Sequence, residues 1–318
     1  MKHSNIKEKY LSVVNDFIDK LEHNNQETWH KSWKLKTGLP KNFTTDREYQ
    51  GINILSLLSS EFEDSRFLTF KQIKALGGTV KAGSKSTPIF FNQVAEKEVV
   101  NEETGEVEMK SYWVFKQYNV FNITQTDGIE YEKEKPKPRA THKELQDFID
   151  ANGARIAYGE PSYTPSTDTI KMPAVEDFES EEHFFSTMAH EYSHWTGHSS
   201  RLNRLSKNAR FGDDEYAVEE LVAELSALFI TMEFGTEKTT KNQSLSYLDS
   251  WIKVLKANPK ILMTVCSQAS QATNYLMSEY HYKTKIRDNS EFTEVQPKAQ
   301  RPLPIKKTKP RAMAPRRV

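Results

Sequence analysis

The sequence has very little cysteine: Cys266 is the only one among 318 residues. A single cysteine excludes an internal disulfide and any cysteine-based zinc site, which sets the chain apart from small secreted proteins and fits a reducing cytoplasm. Because the surrounding sequence is apolar with helical spacing, we interpret Cys266 as a core residue rather than a reactive thiol.

Long hydrophobic runs are also absent. Hydrophobic residues make up 36% of the chain and charged residues 28%, and no run reaches the roughly 18 apolar residues that a membrane helix needs. The N-terminus leads into an amphipathic stretch without the apolar centre of a signal peptide. We therefore expect a cytoplasmic protein without a membrane partner, with enough apolar residues to fill two cores.

The sequence has no excess of charge of either sign, because 44 Lys and Arg residues balance 44 Asp and Glu residues. This balance conceals a basic C-terminus: residues 295–318 hold eight of the basic residues, five of the 13 prolines and no acid. Such a composition predicts a solvated arm rather than a packed segment. Two interpretations stay open, a solubilising end and a nonspecific contact to nucleic-acid phosphates.

Hydrophobic spacing divides the chain into two parts. Residues 5–23 carry an apolar stripe at helical spacing, and short strands, turns and a hairpin over 94–116 follow. Beyond a run of alternating charges and prolines, most of the sequence has helical spacing, and Asn258-Pro259 is expected to split the last long helical region. The predicted fold class is α+β. The divisions are an α+β domain at 1–129, a linker at 130–140, a mainly helical domain at 141–290 and a disordered basic tail at 291–318.

The strongest chemical motif is His190-Glu191-Tyr192-Ser193-His194. It lies in a predicted helix that begins after Ser180 as N-cap and ends near Gly197. Because residues four apart share a helix face, both imidazoles can reach one metal ion, with Glu191 beside them as general base. This is the HExxH arrangement of zincin metallopeptidases, and we favour it over two solvated histidines on a surface helix.

A third metal ligand is expected from a second predicted helix, at about residues 213–234. Glu220 and Glu224 lie four apart there, and one carboxylate would complete a site of two histidines and a glutamate with one coordination position open. We favour Glu220 and keep Glu224 as competitor or as a carboxylate that hydrogen-bonds to a histidine ligand and orients it. His198 is a further alternative, as ligand, oxyanion-stabilising group or helix cap. The expected metal is zinc, with manganese or another divalent cation as the alternative.

Such a site predicts metal-dependent peptide hydrolysis if a peptide can enter it. The metal would polarise a carbonyl while Glu191 takes a proton and passes it to the leaving amine. A metal that only braces two helices would use the same ligands. The sequence therefore leaves open whether the chain is an enzyme.

The N-terminal part interleaves cations with aromatic residues. Between residues 29 and 92 there are ten basic and five acidic residues, with rings such as Trp33 among them. Cations along a groove with rings on which bases stack form the usual platform for single-stranded nucleic acid. The composition alone nevertheless favours core aromatics below a solvated charged face.

Several segments of the sequence, taken together, resemble those of a known protein family. In the N-terminal half they are 38–42 (GLPKN), 47–53 (REYQGIN), 69–72 (TFKQ) and 78–85 (GTVKAGSK). Further along the chain they are 118–122 (YNVFN), 170–173 (IKMP), 190–198 (HEYSHWTGH) and 219–224 (EELVAE). Over about residues 5–280 the chain resembles ArdC-type antirestriction proteins, whose N-terminal domain also occurs in TraC-type conjugative primases.

This resemblance implies a protein of mobile DNA. Its N-terminal domain would bind single-stranded DNA without strong sequence preference, and its C-terminal zincin domain would hold zinc or a similar ion, protecting incoming DNA from host restriction. His190 and His194 match the family's metal ligands, Glu191 its general base and Glu220 its third ligand.

The resemblance also implies a set of DNA-binding candidates. Matching positions in the DNA-binding half, to which we add Trp33 as a stacking ring, are Arg47, Tyr49, Asn53, Lys81 and Lys85. Asp46 stands where the family often has glycine and Ser84 where it often has glutamate, so the resemblance does not fix the turns there.

Two functional hypotheses follow. The first is a protein that shields single-stranded DNA and whose metal domain is mainly structural, and the second is a protease that cleaves a host protein such as a restriction component. A replication or primase accessory is disfavoured, because the sequence has no P-loop and no primase-type acid cluster.

Overall fold

The computed structural model describes residues 2–23, 37–60, 62–100, 107–205, 213–236 and 242–288. Trp33, the hairpin tip at 101–106 and the basic tail lie outside these residues, so the predictions made for them are untested. The described residues form a mixed α/β molecule, strand-rich in its N-terminal part and helical in its C-terminal part, which confirms the predicted fold class.

The N-terminal part builds its sheet around a long hairpin. Its elements are α1 (Lys2–His23), β1 (Lys41–Asn42), α2 (Ile52–Leu58), β2 (Arg66–Thr69), α3 (Phe70–Ala75), β3 (Thr79–Val80), β4 (Thr87–Val100), β5 (Val107–Asn122) and β6 (Thr126–Asp127). The main sheet has the order β1-β2-β5-β4, with β1 parallel to β2 and the other pairs antiparallel. β3 and β6 form a separate antiparallel pair.

The C-terminal part sets helices against a small sheet. Its elements are α4 (His142–Asn152), β7 (Arg155–Tyr158), β8 (Ser162–Thr164), β9 (Thr169–Met172), α5 (Glu181–Thr196), α6 (Asp214–Glu233), α7 (Asn242–Ala257) and α8 (Ile261–Asp288). The sheet has the order β7-β9-β8, with β7 parallel and β8 antiparallel to β9. The break between α7 and α8 falls at Asn258-Pro259, as the sequence predicts.

One hydrophobic core crosses the predicted domain division. The apolar stripe of α1, including Val14 and Phe17, packs in the same cluster as α2 and the buried faces of α6, α7 and α8. Trp251 of α7 is 1% exposed in this cluster, and the hydroxyl of Tyr10 donates a hydrogen bond to the carbonyl of Pro259. The proposed division at 130–140 therefore does not coincide with a gap in the core.

Residues 130–140 form neither helix nor strand and are held by polar contacts to both halves of the molecule. The backbone N–H and the hydroxyl of Ser65 both donate to the carboxylate of Glu134, and Lys137 pairs with Glu233 at 2.7 Å. Gly235 has φ +60°, and a Cβ there would lie 2.5 Å from the carbonyl oxygen of Pro138. This position therefore requires glycine both for its conformation and for the close passage of the linker.

The structure explains one of the two positions at which the chain departs from the family that it resembles. Asp46 has φ +53°, in the left-handed region that glycine occupies without cost and that Asp and Asn tolerate better than most residues. The turn that glycine would favour is therefore kept with aspartate. Nothing in the structure explains Ser84.

Cys266 is fully buried in the core that α8 shares with α1, which confirms the interpretation made from its neighbours. Burial raises the pKa of its thiol far above the ordinary range, so Cys266 is an apolar packing residue.

Among the residues that the structure describes, no helix combines the length and the apolar character that a membrane crossing requires.

The shared core predicts that a change in α1 destabilises the C-terminal helices. Phe17 is 1% exposed, so Phe17→Ala should lower the free energy of unfolding by about 3–5 kcal/mol. Tryptophan fluorescence during denaturant unfolding would measure the change, and Ile286→Ala, at a position 55% exposed, should change it by less than about 0.5 kcal/mol. A variant that leaves the unfolding of the C-terminal helices unchanged would contradict the shared core.

Candidate functional site

Helix α5 carries the HExxH residues and packs on a hydrophobic core of the C-terminal part. The hydroxyl of Ser180 accepts a hydrogen bond from the backbone N–H of His183 and caps the helix, as the sequence predicts. Phe185, Met188 and Tyr192 on one face of α5 are buried against α4 and β9. The neighbouring face therefore presents His190 and His194, one helical turn apart, towards α6.

Helix α6 brings three carboxylates to these histidines. It is buried continuously over residues 220–231, because its apolar faces pack on α5, α7 and α8 at once. Glu220 is 7% and Glu224 1% exposed. Carboxylates this deeply buried require hydrogen-bonding or charged partners, and the histidines of α5 lie within reach.

Three side chains converge on one point. Nε2 of His190 and Nε2 of His194 lie 3.2 Å apart, and each lies 3.5 Å from a carboxylate oxygen of Glu220. One ligand atom from each residue falls within 4.8 Å of the other two. The structure thus brings together the three residues that the sequence predicts as metal ligands.

The size of this triangle suits a metal ion. Two ligands at about 2.1 Å from a tetrahedral ion stand about 3.4 Å apart. The two imidazole nitrogens are 3.2 Å apart, and each lies 3.5 Å from the Glu220 carboxylate, His190 from Oε2 and His194 from Oε1. Imidazole nitrogen with carboxylate oxygen is a donor set that zinc accepts, and the carboxylate also suits manganese. The residues present therefore fit a divalent cation in both spacing and chemistry.

The site also favours positive charge. Burial alone would lower the pKa of His194, but the carboxylates of Glu220 and Glu219 raise it to about 9. Burial alone would raise the pKa of Glu220, but the charge of His194 and the hydrogen bond of His190 lower it to about 2. The acidic charge gathered around His194 therefore favours a positive charge at this point, which a divalent cation would supply.

A carboxylate that the sequence analysis did not select orients His194. Nδ1 of His194 donates to Oε1 of Glu219 at 3.0 Å, and Arg204 holds the same carboxylate through two bonds of 2.9 Å. Burial opposes ionisation of Glu219, but His194 and Arg204 hold its pKa below its usual range. Glu219 adjoins Glu220 in the sequence, yet no pattern there assigns it a role, and Arg204 has no sequence signal at all.

One further acid and two tyrosines surround His190 and Glu220. Oε1 of Glu224 lies 3.6 Å from Nδ1 of His190, which is the orienting position that the sequence analysis offered for it as an alternative to ligation. Tyr216, one turn before Glu220, is hydrogen-bonded to the Glu220 carboxylate, and the hydroxyl of Tyr247 donates to that of Tyr216 at 3.4 Å. Glu220 therefore lies between two imidazoles and a phenol.

Gly197 ends α5 for a reason that differs from the predicted one. Its φ is −75°, in the right-handed region, so the helix does not end in a left-handed glycine. A Cβ at Gly197 would instead lie 2.8 Å from Cγ of Leu205, where the loop 198–205 folds back over the end of the helix. His198 lies at the start of this loop, where its Nδ1 bonds to the hydroxyl and backbone N–H of Ser200.

A cleft of about 710 Å³ opens onto the converging side chains. Glu191, 5% exposed, lies in its wall beside the two histidines, and Tyr163 of the edge strand β8 lies on one side. Val254 of α7 and Gln268 of α8 line the other side. The cleft is large enough for several residues of an extended chain or for a small molecule.

The predicted DNA-binding residues divide into exposed and buried groups. Arg47, Lys81 and Lys85 are at least partly exposed, whereas Tyr49 packs with Leu57 and other residues of the sheet core at 9% exposure. The ring of Tyr49 thus serves the sheet core and offers little surface on which a base could stack, and contact of Tyr49 with DNA stays a prediction.

Asn53 is buried as well. It is 6% exposed, and its amide donates to the carbonyl of Phe90 at 2.9 Å while its oxygen accepts from the N–H of Phe90 at 2.7 Å. This pair of bonds ties α2 to β4. Asn53 therefore supports the fold of the N-terminal part, and its buried amide is not presented to DNA.

The REYQGIN segment as a whole joins the two halves. The N–H of Gly51 donates to the hydroxyl of Ser270 at 2.8 Å, and Asn274 donates to the side-chain oxygen of Gln50 at 2.8 Å. Both partners lie on α8. Much of this motif is thus explained by docking against the C-terminal helices rather than by ligand contact.

Comparison with known proteins places this geometry in context. Residues 7–121 match the family model of the N-terminal domain of anti-restriction factor ArdC, and residues 143–268 match that of the zincin-like metallopeptidases. A DNA primase TraC of Escherichia coli is 32% identical over an alignment of 272 positions that covers 79% of this chain and 25% of the primase. The chain spans 18% of a second TraC primase of that organism, a quarter or less of either.

Two solved structures extend the likeness to the whole fold. The Mn(II)-bound crystal structure of the antirestriction protein ArdC of plasmid R388 has 29% identity and a TM-score of 0.68 over 85% of this chain and 97% of that protein. The metal-free structure of the same protein has 31% identity and a TM-score of 0.70 over 86% of this chain and 98% of that protein. The chain described here belongs to the ArdC family of antirestriction proteins.

Proposed function

We propose that this protein binds single-stranded DNA in the cytoplasm through its N-terminal part, protects incoming DNA from restriction, and holds a divalent metal ion between α5 and α6. The observation that carries the metal centre is the triangle of two imidazole nitrogens and a carboxylate with edges of 3.2–3.5 Å. The Mn(II)-bound structure of the R388 relative supports the binding of a divalent cation by this fold.

His190, His194 and Glu220 would hold the ion, and zinc is the metal that this donor set fits first, with manganese as the alternative. When bound, a divalent cation supplies Lewis-acid polarisation of a carbonyl and neutralises developing negative charge. The residues around it then decide what that polarisation can accomplish. Glu191 is placed in the cleft wall to take up and return a proton.

A second candidate function is therefore metallopeptidase action on a host protein, such as a restriction component. The observation that favours it is the open cleft, with Glu191 and the ligand triangle in its wall and an edge strand alongside. A metal that only joined two helices would not require such a cleft. The metal-joining role, by contrast, requires only the buried contact between α5 and α6.

The metal centre predicts which variants lose metal affinity and which keep it. Glu220→Ala and His190→Ala each remove a ligand and should weaken Zn²⁺ and Mn²⁺ binding by more than about 100-fold, beyond the effect of losing an outer-shell partner. Glu191→Gln removes no ligand and should leave the affinity within a few-fold. Isothermal titration calorimetry of the full chain measures this, and ligand variants that bind as tightly as the unaltered chain would exclude the site.

The DNA-binding half of the proposal rests on one acid-free segment. Residues 65–95 contain five basic residues and no acid. Of these five, Arg66 is occupied by Asp64 through two bonds of 2.7 and 2.9 Å. The remaining four, Lys71, Lys74, Lys81 and Lys85, are exposed and would supply the phosphate contacts of a single strand. Lys81 would first have to release the carbonyl of Thr124, to which it donates at 2.8 Å.

An aromatic ring lies within this basic segment. Phe70 is 54% exposed at the start of α3, and Nζ of Lys74 lies 5.7 Å from its ring centre. The adjoining turn that carries Arg47 is fixed to α3, because the side chain of Gln72 bonds to Thr44 at 2.5 Å. An exposed ring flanked by cations is what stacking of an unpaired base requires. Phe70, rather than Tyr49, is therefore the proposed stacking residue.

Phe70→Ala should weaken single-strand binding by about 1–3 kcal/mol, the value of one stacked base. Lys71→Ala with Lys74→Ala should reduce the salt dependence by about 0.7 for each phosphate that the variant no longer binds. Fluorescence anisotropy with a labelled oligonucleotide over a range of salt measures both effects. Tyr158→Ala, an exposed ring at 79% on β7, is the matched control and should have no effect. Equal affinity of the unaltered protein for single and double strands would contradict base stacking.

Glu191→Gln separates the two candidate functions in the cell. If protection depends on DNA binding and the metal has a structural role, restriction of incoming plasmid DNA should be as low with the variant as with the unaltered protein. Plasmid transfer into a restricting host, counted as transconjugants, measures this outcome. Protection that disappears while oligonucleotide binding is kept would instead establish the metallopeptidase.

A further inference from the structure

Two arginines on the loop that follows α5 are buried, although the loop lies at the surface. The side chain of Arg201 is 8% exposed and that of Arg204 5% exposed. Each donates to a backbone carbonyl in the last turns of α5, Arg201 to Trp195 and Arg204 to Ser193. Both therefore hold the loop against the end of the helix.

Their acidic partners differ. Arg201 pairs with Asp168 in the turn between β8 and β9 and lies over the ring of Trp195 at 3.8 Å. Arg204 pairs with Glu219 of α6, through Nε to Oε2 and Nη2 to Oε1, both at 2.9 Å. Arg204 is thus tied to the helix that carries Glu220, and Arg201 is tied to the small sheet.

The contact between Arg204 and Glu219 extends to His194. Oε1 of Glu219 accepts from Arg204 and also from Nδ1 of His194 at 3.0 Å. A carboxylate held by a two-pronged guanidinium cannot rotate away from the imidazole. Because it fixes the proton on Nδ1, it leaves the Nε2 lone pair of His194 directed at His190 and Glu220.

We propose that Arg204, acting through Glu219, is a positioning residue that sets the tautomer and ring orientation of His194 and thereby the metal affinity of the site. The inference rests on the proposed metal centre. Arg204 contacts neither His190 nor Glu220 in the described bonds, so its effect passes through Glu219. Gly197 takes part as well, since its missing Cβ lets Leu205 and the backbone of Arg204 approach the helix end.

Charge alone predicts the opposite result. Removal of a guanidinium near a cation site relieves repulsion and should tighten metal binding. Loss of positioning should weaken it by about 10–100-fold, the usual effect of removing an outer-shell partner. The sign of the change therefore distinguishes positioning from electrostatics.

The experiment measures Zn²⁺ and Mn²⁺ affinity of the full chain by calorimetry for Arg204→Met and Arg204→Lys, with Arg201→Met and Arg201→Lys as matched controls. Positioning predicts weaker binding for both Arg204 variants, because lysine keeps the charge but not the two-pronged grip. Both Arg201 variants should bind within a few-fold of the unaltered chain, although they also lose buried bonds. Arg204→Met combined with Glu219→Ala should bind no more weakly than Glu219→Ala alone.

Absorption of the Co²⁺-loaded protein gives a second readout, since a reoriented His194 should change its visible spectrum while a merely destabilised fold should not. Unchanged or tighter binding by Arg204→Met and Arg204→Lys would overturn the inference and leave the metal centre standing. So would equal weakening by the Arg201 variants. Absence of binding by the unaltered chain would overturn the metal centre and the inference with it.

Discussion

The packing of α5 against α6 is the interaction on which the site depends. Residues 220–231 of α6 are buried without a break, so its carboxylates are removed from water and must find cations or donors inside the protein. The imidazoles of α5 and the guanidinium of Arg204 supply them. Separation of the two helices would leave buried charge without partners, and the need to compensate that charge keeps the ligand triangle small.

Much of the metal site could be predicted because its parts follow local rules. The four-residue spacing of His190 and His194 fixes their common face whatever surrounds the helix, and Glu220 could be chosen because α6 has one apolar stripe with acids beside it. Glu219 and Arg204 could not be chosen in this way. Their roles depend on a loop folding back over the end of α5, a contact that no spacing along the chain encodes.

Two of the DNA-binding candidates are buried for a related reason. Tyr49 and Asn53 stand in a motif rich in polar and aromatic residues, and such a motif looks the same whether it binds a ligand or joins two elements. Their burial follows from α2 lying on β4 and from Gly51 meeting α8, which are long-range contacts. Local composition indicated a basic region, but only the three-dimensional fold separates Phe70, whose ring is exposed, from Tyr49, whose ring is not.

The position of α1 has a practical consequence for dissecting the molecule. Its apolar stripe completes the core that it shares with α6, α7 and α8. A truncated polypeptide that begins after the linker would therefore expose a hydrophobic surface several helical turns long. An N-terminal fragment would expose the complementary apolar stripe of α1. Either piece made alone is expected to self-associate. The two matched family models therefore follow one another along the chain, whereas one hydrophobic core contains helices from both.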